Sequence, residues 1–234
     1  GYFITNKCKL SCRHCFFLNN IAKQTTELSL QEIDAFSKSI GNFLSLSLTG
    51  GEPFLRDDIA EIAQVFYENN HIRNLNIPTN GLLPEKVISG SKKILSKCHD
   101  LALNLAVSLD GLSEVHDEIR NSKGAFNKAL ETFMAVKDLK KIYPNLSVEI
   151  ITVLSNYNQN NLDKFYDFVI NKLSPDCINL SPIRGVIDSS LSDYDINIYD
   201  RNINRLQRSF LRQRISGYTN FAFSEYVFAT RMVI

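Results

Sequence analysis

Three thiols fall within eight residues, in the stretch Cys8-Lys9-Leu10-Ser11-Cys12-Arg13-His14-Cys15. The spacing C-x3-C-x2-C lets a single loop turn three thiolates towards one metal centre. Three are one short of a closed tetrahedral zinc site. They are also one short of a four-iron cluster held by protein alone. A structural zinc would need His14, or the distant Cys98 or Cys177, as its fourth ligand. The alternative is an iron–sulfur cluster with one iron left open for a substrate or cofactor. The loop follows the first β-rich run, which puts it at the C-terminal edge of a sheet, where α/β proteins build their sites. That position favours the open cluster.

A second feature is Thr49-Gly50-Gly51-Glu52-Pro53, directly after the second β-rich run. Paired glycines let the backbone turn sharply and approach a ligand with no Cβ in the way. Pro53 stiffens the exit, and Glu52 carries a charge suited to an ammonium group. The plainer reading is a βα turn leading into a helix capped by Asp57 or Asp58.

The elements that must position these residues can be read from periodicity. Strands are expected at Tyr2–Thr5, Phe43–Leu48, Ile72–Ile77, Leu101–Leu109, Leu146–Leu154 and Cys177–Ser181. Helices are expected at Leu30–Ser39, Asp57–Asn69, Pro84–Lys97, Ala125–Ile142 and Leu162–Leu173. In Ala125–Ile142, Phe126, Leu130 and Phe133 recur at helical spacing and define one face. Pro84 suits a helix start, and Pro144 follows a helix end. Strands alternating with helices imply right-handed βαβ units and a parallel sheet. Phe43–Leu48 and Leu101–Leu109 do not alternate sharply, as expected of strands covered on both faces. Periodicity leaves open a doubly wound sheet or an incomplete barrel. Beyond Pro182–Gly185 the pattern degrades: Ile187–Tyr199 is polar and irregular, Arg201–Ile215 reads as a helix, and Tyr218–Ile234 shows no clear period.

The 234 residues, 44% hydrophobic and 22% charged, suffice for one sizeable core. The net charge of +1 gives no electrostatic case for nucleic acid or an anionic membrane. No apolar run approaches the ~20 residues needed to cross a bilayer. Five cysteines, three clustered and two scattered, suggest a reduced, cytoplasmic compartment rather than a disulfide framework. Cys98 and Cys177 read as small buried residues.

Taken together, the cysteine loop and Gly-Gly-Glu-Pro resemble the radical S-adenosylmethionine (radical SAM) superfamily. Pro78-Thr79-Asn80-Gly81 and Val107-Ser108-Leu109-Asp110-Gly111 fit the same family. The resemblance implies an α/β fold, a partial (β/α)6 TIM-type barrel of parallel strands spanning residues 1–185. It implies that Cys8, Cys12 and Cys15 each bind one iron of a [4Fe–4S] cluster and that S-adenosyl-L-methionine chelates the fourth iron. Gly50, Gly51 and Glu52 would receive the methionine ammonium. Ser108 and Asp110 would meet the ribose or the methionine carboxylate, with Thr79 and Asn80 lining the same cavity. His14 would pack near the adenine. The reduced cluster would cleave S-adenosylmethionine to a 5′-deoxyadenosyl radical that takes hydrogen from substrate. A one-electron donor such as flavodoxin or ferredoxin is then required.

The stretch Ser108-Leu109-Asp110-Gly111 with His116-Asp117 and Ile119-Arg120 resembles the SPASM-type subgroup. Its members modify peptides and proteins or mature cofactors, so a peptide or small-molecule substrate is implied. That subgroup carries cysteines after the barrel, and none follows Cys177. Either the enzyme has no auxiliary cluster or the chain ends before that domain; the abrupt apolar ending from Tyr226-Val227-Phe228 to Met232-Val233-Ile234 favours the second, so residues 186–234 are expected to be a helical extension that begins a truncated C-terminal region. Within it, Arg201, Arg205, Arg208 and Arg212 form one helical stripe, either a solvated face or a docking face for an acidic partner.

Overall fold

The computed structural model describes residues 1–21, 26–185 and 189–215, without the side chains of 189 and 209–215. Its contacts divide the chain into two compact units, Gly1–Tyr194 and Asp195–Ile234.

The first unit is built on six parallel strands: β1 Tyr2–Thr5, β2 Ser45–Gly50, β3 Asn74–Thr79, β4 Ala102–Ser108, β5 Leu146–Leu154 and β6 Cys177–Pro182. They lie side by side in sequence order. A doubly wound sheet would reverse that order at a switch point. With no reversal, right-handed crossovers put every helix on one face, which gives the partial TIM-type barrel expected from the resemblance. The helices are α1 Leu18–Ile21, α2 Leu30–Ser39, α3 Ile59–Asn70, α4 Pro84–Lys97, α5 Ser113–Arg120, α6 Ala125–Lys140 and α7 Leu162–Phe168, the last running into a π turn over Val169–Leu173.

Local signals account for several of these boundaries. Ser29 and Glu32 form a capping box that starts α2. Pro84 occupies the first turn of α4. On α6, Phe126, Ala129, Phe133 and Val136 are buried, while Leu130 sits at the edge of that face rather than on it. Gly81 (φ +73°) lets the chain leaving β3 pass beneath α6, since a Cβ there would lie 2.8 Å from Ala129 Cα. The Thr132 hydroxyl donates to the Gly81 carbonyl at 2.6 Å.

Two strands begin and end about two residues later than periodicity suggests. Phe43 and Leu44 form the approach to β2: the Phe43 N–H donates to the Asn70 carbonyl, and Leu44 is 69% exposed. Ile72 follows His71, which closes α3 in the left-handed region and delays β3. Pro78 lies inside β3, beyond Ser47↔Asn76, the last β2–β3 pair, so its missing N–H forfeits no bond to β2. The strands also alternate more than expected. Leu75, Leu103 and Val148 are buried on the helix side, whereas Asn76, Asn104 and Ser147 are half-buried on the other.

In the second unit α8, Ile196–Ile215, starts within the stretch expected to be irregular. Asp195 initiates it, its carboxylate accepting from the Asn197 N–H at 2.9 Å. Tyr199, Asn202 and Leu206 form its buried line. Arg201 and Arg208 are exposed and Arg205 half-exposed. The Arg212 side chain and Tyr218–Ile234 lie outside the described residues.

Phe133 tests the packing of α6 on the sheet. Phe133→Ala is expected to cost about 3–5 kcal/mol in urea unfolding. A loss under about 1 kcal/mol would mean that this face is not core.

Candidate functional site at the C-terminal strand edge

The cysteine loop hangs between two fixed points. Near β1 it is tied by backbone: the Gly51 N–H donates to the Thr5 carbonyl at 2.9 Å and the Glu52 N–H to the Lys7 carbonyl at 2.8 Å. At the far side, the Arg13 N–H donates to the Ile119 carbonyl at 2.9 Å. Arg13 also reaches the Tyr157 hydroxyl at 3.0 Å and lies over its ring. The loop therefore spans from β2 to the end of α5.

Gly50 and Gly51 are needed for a closer reason than ligand approach. A Cβ at Gly50 (φ +151°) would lie 2.2 Å from the Thr5 carbonyl oxygen, and one at Gly51 2.2 Å from that of Lys7 and 3.0 Å from Cys8 Cβ. The glycine turn and the cysteine loop are one packed unit, not two separate features.

Cys8, Cys12 and Cys15 are all free thiols. Cys8 Sγ faces the Leu10 N–H at 3.4 Å and the Asn80 side-chain amide at 3.8 Å. Cys12 Sγ faces Arg120 Nη1 at 3.8 Å. Burial pushes the Cys8 and Cys15 thiols up, and the neighbouring sulfurs add to this. A bound metal would reverse that balance by holding thiolates. Among the described residues, no three His, Cys, Asp or Glu side chains are placed around a single metal ion.

Glu52 is buried. One carboxylate oxygen accepts from the Thr79 hydroxyl at 2.9 Å and the Phe54 N–H at 3.2 Å; the other accepts from the Asn80 N–H at 2.8 Å. Burial raises its pKa to about 7, against the pull of these donors and of Arg120. Thr79 is turned towards Glu52, and its hydroxyl also accepts from the Gly81 N–H. Asn80 thus touches both Glu52 and Cys8.

Asp110 is the other centre. One carboxylate oxygen accepts from the Val153 N–H at 2.9 Å, and the other lies 2.7 Å from Arg120 Nη2 and 3.9 Å from His14 Nε2. Its backbone N–H donates to His116 Nδ1, and its carbonyl accepts from the Asn158 amide at 2.8 Å. Burial opposes its charge, but Arg120 foremost, then the two histidines, holds the carboxyl below its usual range. Burial lowers His14 and His116 to about 4, so both are neutral near pH 7. Ser108 ends β4 and is half-buried.

Three buried atoms here lack a hydrogen-bond partner, Arg120 Nε, His14 Nδ1 and His116 Nε2, while Asp110 Oδ2 has Arg120 alone. Folded interiors leave few such atoms. Their concentration around Asp110, beside three free thiols, fits a site built to receive a polar ligand and a metal cluster.

The sequence reading named Arg120 and His116 only as part of a resemblance and missed Asn158 and Arg13. Asp117 was named in the same resemblance, and its carboxylate accepts from the Gly124 and Phe126 N–H groups at the start of α6.

The sequence matches the Radical SAM superfamily over residues 2–169. It is 29% identical over 171 residues to the uncharacterized protein MJ0907 of Methanocaldococcus jannaschii, covering 71% of this chain and 56% of that one. It is 33% identical over 130 residues to the Fe-coproporphyrin III synthase of Methanosarcina barkeri, covering 54% and 31%. The fold resembles Streptococcus suis SuiB bound to S-adenosylmethionine, with a TM-score of 0.67 at 21% identity, over 91% of this chain and 47% of that one. SuiB has also been solved with its precursor peptide SuiA. The chain thus spans about a third to a little over half the length of these proteins.

Gly51→Val is expected to displace the Cys8 loop, so iron per chain after anaerobic reconstitution should fall several-fold; full iron loading would refute the packed unit. Glu52 gives a pH test in the iron-free protein. Its folded pKa, about 7, lies above the ordinary 4.5. The folded state therefore binds the proton more tightly, and stability is full below about pH 4.5 and declines as pH rises towards 7. That decline is up to about 3 kcal/mol. Glu52→Gln should flatten this segment of a urea-unfolding pH profile; an unchanged slope would assign it to another group.

Proposed function

The chain belongs to the radical SAM superfamily, whose members use a [4Fe–4S] cluster and S-adenosylmethionine, and from that premise we propose that Cys8, Cys12 and Cys15 each bind one iron and leave the fourth to the cofactor. The observation that carries the reading is the arrangement of three free thiols on a doubly tethered loop beside the orphaned polar atoms around Asp110. When bound, cluster and cofactor supply reductive cleavage of the sulfonium and a 5′-deoxyadenosyl radical that takes hydrogen from substrate.

The protein's own part is placement. Gly50 and Gly51 hold the loop against β2. On Glu52 the oxygen facing Asn80 accepts one hydrogen bond, and a carboxylate oxygen has capacity for two; the free position suits the methionine ammonium. Two carboxylates would repel, so Asp110 suits the ribose hydroxyls rather than the methionine carboxylate, with Ser108 alongside. Thr79 braces Glu52, and Asn80 steadies Cys8. His14, neutral and buried, packs beside the adenine rather than shuttling a proton. A flavodoxin- or ferredoxin-like protein supplies one electron. The substrate belongs to peptide modification or to cofactor maturation, the two fields that the similar proteins represent. Among the described residues, no helix is long and apolar enough to cross a membrane.

With dithionite and no substrate, the reconstituted protein is expected to convert S-adenosylmethionine slowly into 5′-deoxyadenosine and methionine. Cys8→Ala, Cys12→Ala and Cys15→Ala should each abolish the cluster chromophore, while Cys98→Ala and Cys177→Ala keep it. Chromatography that finds methylthioadenosine or S-adenosylhomocysteine from a verified four-iron cluster would refute the mechanism.

A further inference from the structure

We infer that Arg120 is a positioning residue that raises the reduction potential of the cluster through Cys12, and that Asp110 opposes it. The inference rests on the proposed reading of Cys12 as an iron ligand.

Arg120 is a charged side chain only 8% exposed, at the last position of α5. Burying a cation is costly unless a specific partner holds it. It has two. Nη2 lies 2.7 Å from Asp110 Oδ2, and Nη1 points at Cys12 Sγ at 3.8 Å. The guanidinium thus stands between a carboxylate and a thiol, with its positive edge on the sulfur. Asn121 follows in the left-handed region and closes the helix, and the neighbouring Arg13–Ile119 bond ties that helix end to the cysteine loop. The distance from Arg120 to Cys12 is therefore fixed by the fold rather than by a free side chain.

The electrostatic consequence has a sign. Reduction adds one electron from a low-potential donor to the cluster. A buried cation and an N–H aimed at a ligating sulfur stabilise that added charge and make reduction easier. A buried carboxylate nearby makes it harder, and it offsets part of the field of Arg120. A general loosening of α5 on breaking the pair would not shift the potential in opposite directions for its two halves.

The test is a dithionite titration of the reconstituted full chain, without S-adenosylmethionine, followed by electron paramagnetic resonance of the reduced cluster. Arg120→Gln is expected to shift the midpoint potential to a more negative value. Asp110→Asn should shift it to a less negative one, and Arg120→Lys should stay near the unsubstituted protein. If Asp110 takes up a proton in Arg120→Gln, the loss of the N–H donor to sulfur keeps the shift negative. Shifts of the same sign, or none with iron loading intact, overturn the inference. If Arg120→Gln fails to hold iron, Asp110→Asn decides alone, and an unchanged or more negative potential there overturns it. Failure of the unsubstituted protein to assemble a four-iron cluster would instead refute the reading of the cysteines.

Discussion

Where β2 and β3 part, a buried carboxylate replaces the backbone ladder. Their pairing ends at Ser47↔Asn76, while β2 continues towards β1 and pairs Gly50 with Thr5. The gap is bridged by Glu52, which accepts from Thr79 and Asn80 at the end of β3. A desolvated carboxylate costs several kcal/mol without such donors. Here donors from β3 and from the turn itself saturate most of it. The same residue's N–H holds the Lys7 carbonyl. One side chain and its own peptide therefore fix three strand ends together, and the cysteine loop is anchored to that joint. Asn80 carries the connection across, bonded to Glu52 through its backbone and facing Cys8 with its amide.

This joint explains why the glycine pair and the glutamate occur as a block. Gly50 and Gly51 make room for the backbone of residues 5–7, and Glu52 needs that approach to present its N–H to Lys7. A larger residue at either glycine would separate β1 from β2 and remove the loop's anchor at β1. The spacing of the motif is set by packing, and ligand recognition is added to a scaffold that already requires it.

Much of the frame was legible in the sequence. Tyr2–Thr5, Leu146–Leu154, Leu30–Ser39 and Pro84–Lys97 have the same bounds in both readings, because caps, a leading proline and β-branched runs act locally. The cysteine loop and the glycine turn were legible because their spacing is local as well. Helix α5 was not. Its buried positions are His116, Ile119 and Arg120, and two of the three read as surface residues. Their burial is compensated by Asp110, Cys12 and the Asp110 N–H, partners that the folded arrangement brings to them. Which donors a glutamate finds is likewise not written near it, so Glu52 read as free to meet a ligand although most of its capacity is taken up within the protein.

The face of the sheet turned away from the helices completes the account of why such a site can exist. Six strands in sequence order do not close, so their inner face cannot be filled like that of a closed eight-stranded barrel. A wholly apolar inner face would invite collapse or association. Here Ser47, Asn76, Asn104 and Ser147 stand in register across four strands. Asn76 donates to Ser47, Asn104 to Asn76 and to Glu149, and Ser147 to Asn104. Burial pushes the Glu149 carboxyl up, while donors from Asn104, Cys177 and Asn179 hold it back. This hydrogen-bonded row satisfies the inner face without filling it. Below the C-terminal edge the inner face is thus polar and satisfied, and at that edge Arg120 Nε, His14 Nδ1 and His116 Nε2 keep unspent hydrogen-bonding capacity for a ligand.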